Sequence, residues 1–211
     1  SGLITGFARL DGWSVGVIGS DPMSKAGAMD GNAADKYTHF VDLCDTFNLP
    51  LLIFLDMPGF MLGSHAERIA TMRRGTRALI ASAECEVPKI EFMVRKSYGV
   101  AADAPNSIAL PDSINLRFGW PSGEWGGIPI EGGVAAAYRR VIAPADDPDA
   151  HREAIEERLL RLRSPFRAAH RGDVVDLIDP RDTRSLACRF VNLAQPKLSE
   201  LARRPKRAVR P

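Results

Sequence analysis

The chain has 211 residues, 45% of them hydrophobic, with 28 Lys and Arg against 26 Asp and Glu. That length suits one compact domain, and that apolar share suits a folded core, which excludes wholesale disorder. No run of 18 apolar residues occurs, so no membrane-spanning helix is expected. The opening SGLITGFARLDGW lacks a basic region followed by an apolar one, so no secretory signal is expected either.

Cys44, Cys85 and Cys188 are odd in number and widely spaced. They read as buried thiols of a reducing, cytoplasmic compartment, with neither a disulfide framework nor a zinc site. From Lys197 to Pro211 six Lys and Arg stand against the single Glu200, a net of about +5 that leaves about −3 for the rest. We read residues 1–196 as the domain and 197–211 as a basic, solvated tail. With no basic body and no aromatic platform, nucleic-acid binding is not expected.

In chain order, Gly6–Leu10 and Trp13–Ser20 flank Asp11-Gly12 and predict a hairpin. A loop from Asp21-Pro22 leads to a helix capped by Asn32 or Asp30. That helix shows Ala33, Tyr37, Phe40, Val41, Cys44 and Phe47 at helical spacing and ends at Asn48 and Pro50. Pro50–Leu55 is an apolar run that fits a strand covered on both faces. A helix is expected from Ala66 to Ala83, and a second buried strand over Val87–Val94. Residues Arg95 to Asp103 then read as a strand-to-loop-to-helix junction, with small residues suited to close backbone approach.

Asn115–Trp120 is a short strand candidate. Ile130–Val141 reads as a helix opened by Gly132-Gly133. Pro148–Arg163 reads as an amphipathic helix, with Ile155, Leu159, Leu160 and Leu162 among charges. Val174–Ile178 is a last strand, and Thr183–Leu201 a last helix interrupted by Pro196. Strands alternating with helices give an α/β class.

Two strand ends carry the chemistry-bearing patterns: Asp56-Met57-Pro58-Gly59-Phe60 and Tyr98-Gly99-Val100-Ala101. Each follows a buried strand, where open α/β sheets place ligands. Convergent backbone N–H groups there make an oxyanion hole; two tight connections without chemistry fit the spacing equally well. The dispersed His39, His65, His151 and His170 show no metal spacing, and no nucleophile–base set is recognisable. Cys44 reads as core, Asp42 and Asp45 as the wet face of their helix, and Arg73-Arg74 as surface charge. Glu124 and Glu131 fit either acid/base work or hydrogen bonds to a loop. An enzyme without an evident acid, base or nucleophile suits a reaction that backbone amides can serve, such as enolate stabilisation, with the base coming from a cofactor.

At these residues the sequence resembles the C-terminal half of biotin-dependent acyl-CoA carboxyltransferases, the beta-type chains of acetyl-CoA and propionyl-CoA carboxylases. The resemblance is carried by GFARLDGWSVGVIGSDP, by AADKYTHFVDLCDTFNLPLLIFLDMPGF, and by VPKIEFMVRKSYGVAADA; it continues through WPSGEWGGIPIEGG and DLIDPRDTR. It implies a crotonase-like (ClpP/crotonase) β-β-α superhelix. It further implies that carboxybiotin arrives on a carrier, that its carboxyl group passes to the acyl-CoA through CO2, and that backbone amides of this half hold the biotin urea oxygen.

By resemblance those amides fall at Val100 and Ala101 after Gly99, where the family has a Gly-Ala-type pair. Gly59, Phe60, Tyr98 and Asp103 would then belong to the biotin and acyl pocket, Asp103 where some members tune acyl-chain choice. The cofactor is biotin borne by another chain or domain, the substrate is an acyl-CoA, and no metal is expected in this chain. The implied partners are an N-terminal-half carboxyltransferase domain or subunit, a biotin carboxyl carrier protein and biotin carboxylase, in a homo- or hetero-oligomer away from membranes. Whole family chains have two such halves, and this sequence contains one. A biotin-dependent decarboxylase subunit and a non-catalytic crotonase-like assembly subunit are the alternatives.

Overall fold

The computed structural model describes residues 2–103, 113–130 and 133–204, and for Asp103 the backbone only. β1 (Leu3–Leu10) and β2 (Trp13–Ser20) form the expected hairpin, closed by the Leu10–Trp13 pair. Asp11 and Gly12 both take positive φ, 48° and 85°, the backbone hand that matches the twist of two paired strands.

α1 (Gly31–Thr46) starts at Asp30, whose carboxylate accepts the Ala33 N–H at 2.8 Å. Of the two candidate caps, Asp30 is therefore the one used. Ala33, Tyr37, Phe40, Val41 and Cys44 face the core as the spacing predicts. Phe47 does not: it caps the C-terminus, where the chain turns away through Asn48 at φ 53°, and is 66% exposed. Asp45 is no plain wet-face residue, because its carboxylate accepts the N–H groups of Glu86 and Val87 and so fixes the entry to the next strand.

β3 (Leu51–Met57) is buried on both faces. The helix expected over 66–83 is two helices, α2 (Ser64–Arg68) and α3 (Thr71–Glu84). Ala70 separates them in left-handed conformation at φ 54°, which a continuous helix cannot include. β4 (Lys89–Tyr98) runs four residues past the expected end and passes directly into α4 (Gly99–Asp103), without the expected loop.

β5 (Asn115–Gly119) follows, then the unforeseen β6 (Glu124–Gly126). The helix expected over 130–141 is split at Tyr138 into α5 (Gly133–Ala137) and α6 (Arg139–Ile142). α7 (Pro148–Leu162) matches its expected span, but of its leucines only Leu159 packs beside Ile155, while Leu160 and Leu162 are exposed. α8 (Pro165–His170), β7 (Asp176–Leu177) and α9 (Thr183–Leu201) complete the described chain.

Pro196 sits inside α9 without interrupting it. The expected tail from Lys197 begins as the last turn of this helix, with Leu198 and Leu201 buried, so the packed domain extends at least to Leu201. Residues 205–211 lie outside the described residues.

The main sheet runs β1-β2-β3-β4-β5-β7, with every pair after the hairpin parallel. Leu51, Ile53 and Leu55 meet α1 and α3 on one face; Leu52, Ile90 and Phe92 meet Phe190 and Val191 of α9 on the other. The pleat sends alternate residues to opposite faces, which is why the run reads as continuously apolar. A separate small core of Ile130, Val134 and Ile155 joins α5 to α7.

Candidate functional site

The site begins with an irregularity in β4. Leu55 of β3 pairs with Met93, but Met57 pairs with Ser97, so β4 carries two extra residues at a bulge. Asp56 fills it: its carboxylate accepts the Lys96 N–H at 3.1 Å and pairs with Arg95 at 3.0 Å. Before the bulge β4 pairs with β5, and after it with β6 through Ser97 and Trp125. A bulge bends a strand and re-aims the residues beyond it, and here it sends Tyr98 and Gly99 out of the main sheet.

The two strand ends singled out in the sequence come together. A Cβ placed on Gly59 would sit 3.5 Å from the Tyr98 carbonyl oxygen. Gly99 takes φ 62° and lies against the Gly127 carbonyl, so the chain turns from strand to helix at a residue that tolerates left-handed backbone. Val100 and Ala101 follow in the first turn of α4, where N–H groups have no partner within their own helix.

A cleft of about 930 Å³ opens beside this turn. It is lined by Ser97, Gly99 and Val100, by Trp125 to Ile128, and by Tyr138, Leu159, Arg163 and Arg167. Val100 is 56% exposed, while Ala101 is buried beneath it. Asp103 ends α4, and its side chain lies outside the described residues.

Three of the residues named for the pocket do not line this cleft. Gly59 and Phe60 are absent from the cleft wall. The Phe60 ring packs over Gly75 of α3, where a Cβ would come within 2.5 Å of it, and the backbone around Phe60 forms a bridge with Met29. Tyr98 is fully buried: its hydroxyl donates to Glu124, and the Arg163 guanidinium lies 5.0 Å over its ring. Arg163 also pairs with Glu124 at 3.0 Å. Tyr98 thus braces the site from behind. The Glu124 carboxylate is engaged by the Tyr98 hydroxyl and by Arg163, while Glu131 lies outside the described residues.

Arg163, Arg167, Tyr138 and Trp125 went unrecognised as site residues. They come from helices and a short strand distant in sequence, and nothing local in the sequence marks them.

Elsewhere the chemistry is structural. Burial pushes the Cys44 and Cys85 thiols up to about 12, so both are inert core residues. Arg74 bonds Asn32 and pairs with Asp35, tying α3 to α1. Lys89 is buried, its ammonium donates to the Ser82 carbonyl at 2.7 Å, and burial lowers its pKa. Among the described residues no cluster of His, Cys, Asp and Glu could hold a metal ion, and no helix is long and apolar enough to cross a membrane.

Residues 1–209 match the carboxyl transferase domain. The chain is 41% identical over 184 residues, 87% of its length, to the carboxyltransferase subunit of propionyl-CoA carboxylase from Haloferax mediterranei. It is 42% identical over 183 residues, 86% of its length, to the 12S subunit of methylmalonyl-CoA carboxyltransferase from Propionibacterium freudenreichii subsp. shermanii. These matches span 35% and 34% of the two relatives, so the chain covers about a third of their length. A crystal structure of transcarboxylase 12S with methylmalonyl-coenzyme A and methylmalonic acid bound superposes with a TM-score of 0.80 at 36% identity, covering 100% of this chain and 38% of that one.

Proposed function

Because the chain belongs to the carboxyl transferase domain family and has the crotonase-like fold of its solved relatives, we propose that it is one part of a carboxyltransferase. The whole enzyme would move a carboxyl group between biotin, carried on another chain or domain, and an acyl-CoA, in the cytoplasm. The observation that carries this reading is the β4–α4 turn, where Gly99 and Val100 open onto the cleft.

When bound, biotin supplies the carboxyl group and a basic ring nitrogen. The chain's own part is to orient and to stabilise. The N–H groups of Val100 and Ala101 hold the urea oxygen, the place where negative charge develops. Such donors act without reorganising and contribute most where water is excluded. The residues present fit a ring of that kind: beside the turn the cleft is lined by Gly126 and Gly127, which have no side chains, and a Cβ on Gly127 would meet nothing within 4 Å. Gly59 bears on the turn at the Tyr98 carbonyl, and in this reading Phe60 and Asp103 keep the pocket roles that the family resemblance implies.

Replacing the family's glycine with Val100 removes no donor, because the N–H belongs to the backbone. Val100 sits in α4 with Gly99 taking the left-handed conformation, so the β-branched side chain avoids φ > 0.

The activity requires the remaining part of the catalytic unit and a biotin carrier. Transfer is preferred over decarboxylation because the two relatives described above, 41% and 42% identical, are a carboxylase subunit and a carboxyltransferase subunit. One relative, 36% identical, is the alpha subunit of methylmalonyl-CoA decarboxylase from Propionigenium modestum. Native mass spectrometry of the protein from its own host, followed by a biotin-dependent carboxyl-transfer assay of whatever assembles, tests the proposal. A complex with an N-terminal-half partner that transfers carboxyl groups supports it. A complete assembly without transfer in either direction leaves the non-catalytic scaffold.

A further inference from the structure

Where β4 ends and β6 begins, two side chains meet across the sheet. Lys96 pairs with Glu124 and Tyr98 with Gly126, so Tyr98 and Glu124 are diagonal neighbours on one face. The Tyr98 hydroxyl donates to Glu124 Oε2, and the same oxygen accepts from Arg163 Nη1 at 3.0 Å. One carboxylate oxygen therefore serves two donors that stand far apart in the chain.

Each donor belongs to an element that borders the cleft. Tyr98 is the last residue of β4 and leads at once into Gly99 and Val100, which line it. Arg163 joins α7 to α8 and lines it too, together with Leu159 of α7 and Arg167 of α8. Both donors are buried, Tyr98 fully and Arg163 to 7% exposure.

Further contacts leave the Tyr98 ring little freedom. The Arg163 guanidinium lies 5.0 Å over it, and a Cβ on Gly126 would come within 3.2 Å of two of its ring carbons. Arg163 is itself tied to β6, because its carbonyl accepts the Trp125 N–H at 3.1 Å. Gly99 follows the ring directly and takes φ 62°. Glycine permits that conformation but does not enforce it, since it adopts several others as readily. The constraint on the turn has to come from its neighbours, and Tyr98 is the neighbour that is held.

We infer that Glu124 is a positioning residue of this site. It ties Tyr98, and through Tyr98 the N–H groups of Val100 and Ala101, to Arg163 at the α7–α8 connection, and so holds the amide pair at one angle to the cleft. The inference rests on the proposed role of that pair and deepens it.

The first test is 15N relaxation of the backbone amides of the full chain, in the parent and in Glu124→Ala, Glu124→Gln and Tyr98→Phe. Tyr98→Phe keeps the ring and removes only the hydroxyl, so it decides the matter even where Glu124→Ala does not fold. Order parameters at Val100 and Ala101 should fall from about 0.85 toward about 0.6 in Tyr98→Phe and Glu124→Ala. Those of α1 should stay as they are, and Glu124→Gln, which keeps an acceptor oxygen, should restore most of the loss. In the assembled carboxyltransferase, Tyr98→Phe and Glu124→Ala should lower kcat about tenfold or more and leave KM for the acyl-CoA within about twofold. The double variant should be no slower than Glu124→Ala alone, because both substitutions cut one connection. Unchanged order parameters at the turn, an equal loss throughout the chain, parent kcat values, or single losses that multiply in the double variant overturn the inference. An assembled parent that transfers no carboxyl group refutes the functional reading instead, and the relaxation measurement then decides the inference by itself.

Discussion

Asp56 on β3 and Arg95 on β4 form an ion pair of 3.0 Å at the point where β4 leaves β5 for β6. Arg95 is half exposed, so the charge attraction itself contributes little. The stronger element is the Asp56 carboxylate accepting the Lys96 N–H inside the bulge. We expect Asp56→Ala to cost about 1–3 kcal/mol, and Asp56→Asn, which keeps an acceptor oxygen, to cost less. Urea unfolding of the three proteins checks this. Because the bulge aims Gly99, both variants should lower carboxyl transfer more than stability alone explains.

Glu91 and Arg117 occupy partnered positions on β4 and β5, and their side chains pair at 2.6 Å in the interior. Removing one partner strands the other's charge. Glu91→Ala or Arg117→Ala should therefore cost about 3–5 kcal/mol. A double replacement by leucine and methionine should recover most of that loss. Denaturant midpoints of the single and double variants measure it.

Asp30 holds the start of α1. Burial alone would raise its carboxyl, but hydrogen bonds from Lys25 and from the Ala33 N–H outweigh it and hold the pKa below the ordinary 3.8. The unfolded chain then binds a proton more tightly than the folded one. The contribution is fully present above the ordinary value and is lost as pH falls through the lower folded value. Asp30→Ala should cost about 1 kcal/mol near neutral pH. Asp30→Asn keeps the cap, and its deficit against the parent should vanish as pH falls below the carboxylate range. A pH series of thermal melts reads both.

Cys44 and Cys85 are buried with thiols pushed up to about 12, whereas Cys188 is only half-buried. A neutral aromatic disulfide reagent at neutral pH should modify Cys188 alone in the folded protein. The other two should react only at the rate of unfolding. Mass mapping of the labelled peptides distinguishes this from reaction at all three.

The main sheet was legible because its strands are two-faced and apolar: PLLIFL fits an interior strand, and Asp11-Gly12 is a strong hairpin-turn signal. The breaks were not. Ala70 and Tyr138 split two expected helices without any glycine or proline to announce them. The bulge was hidden because Arg95 and Lys96 look like the solvent end of a strand, while the residue that sets it, Asp56, lies on the neighbouring one. In the site, Gly99 and Val100 stood out because small residues follow a strand. The rest of the cleft lining depends on how α5 to α8 fold back, which no local pattern specifies.

The most direct test of the central claim is the carboxyl-transfer rate of the assembled enzyme carrying Val100→Pro, set beside Val100→Ala. Proline removes the N–H and is tolerated in a first helical turn; alanine keeps the donor. If the amide holds the urea oxygen, the proline variant assembles and melts like the alanine variant but transfers at least about 100-fold more slowly. Equal rates in the two variants would contradict the account.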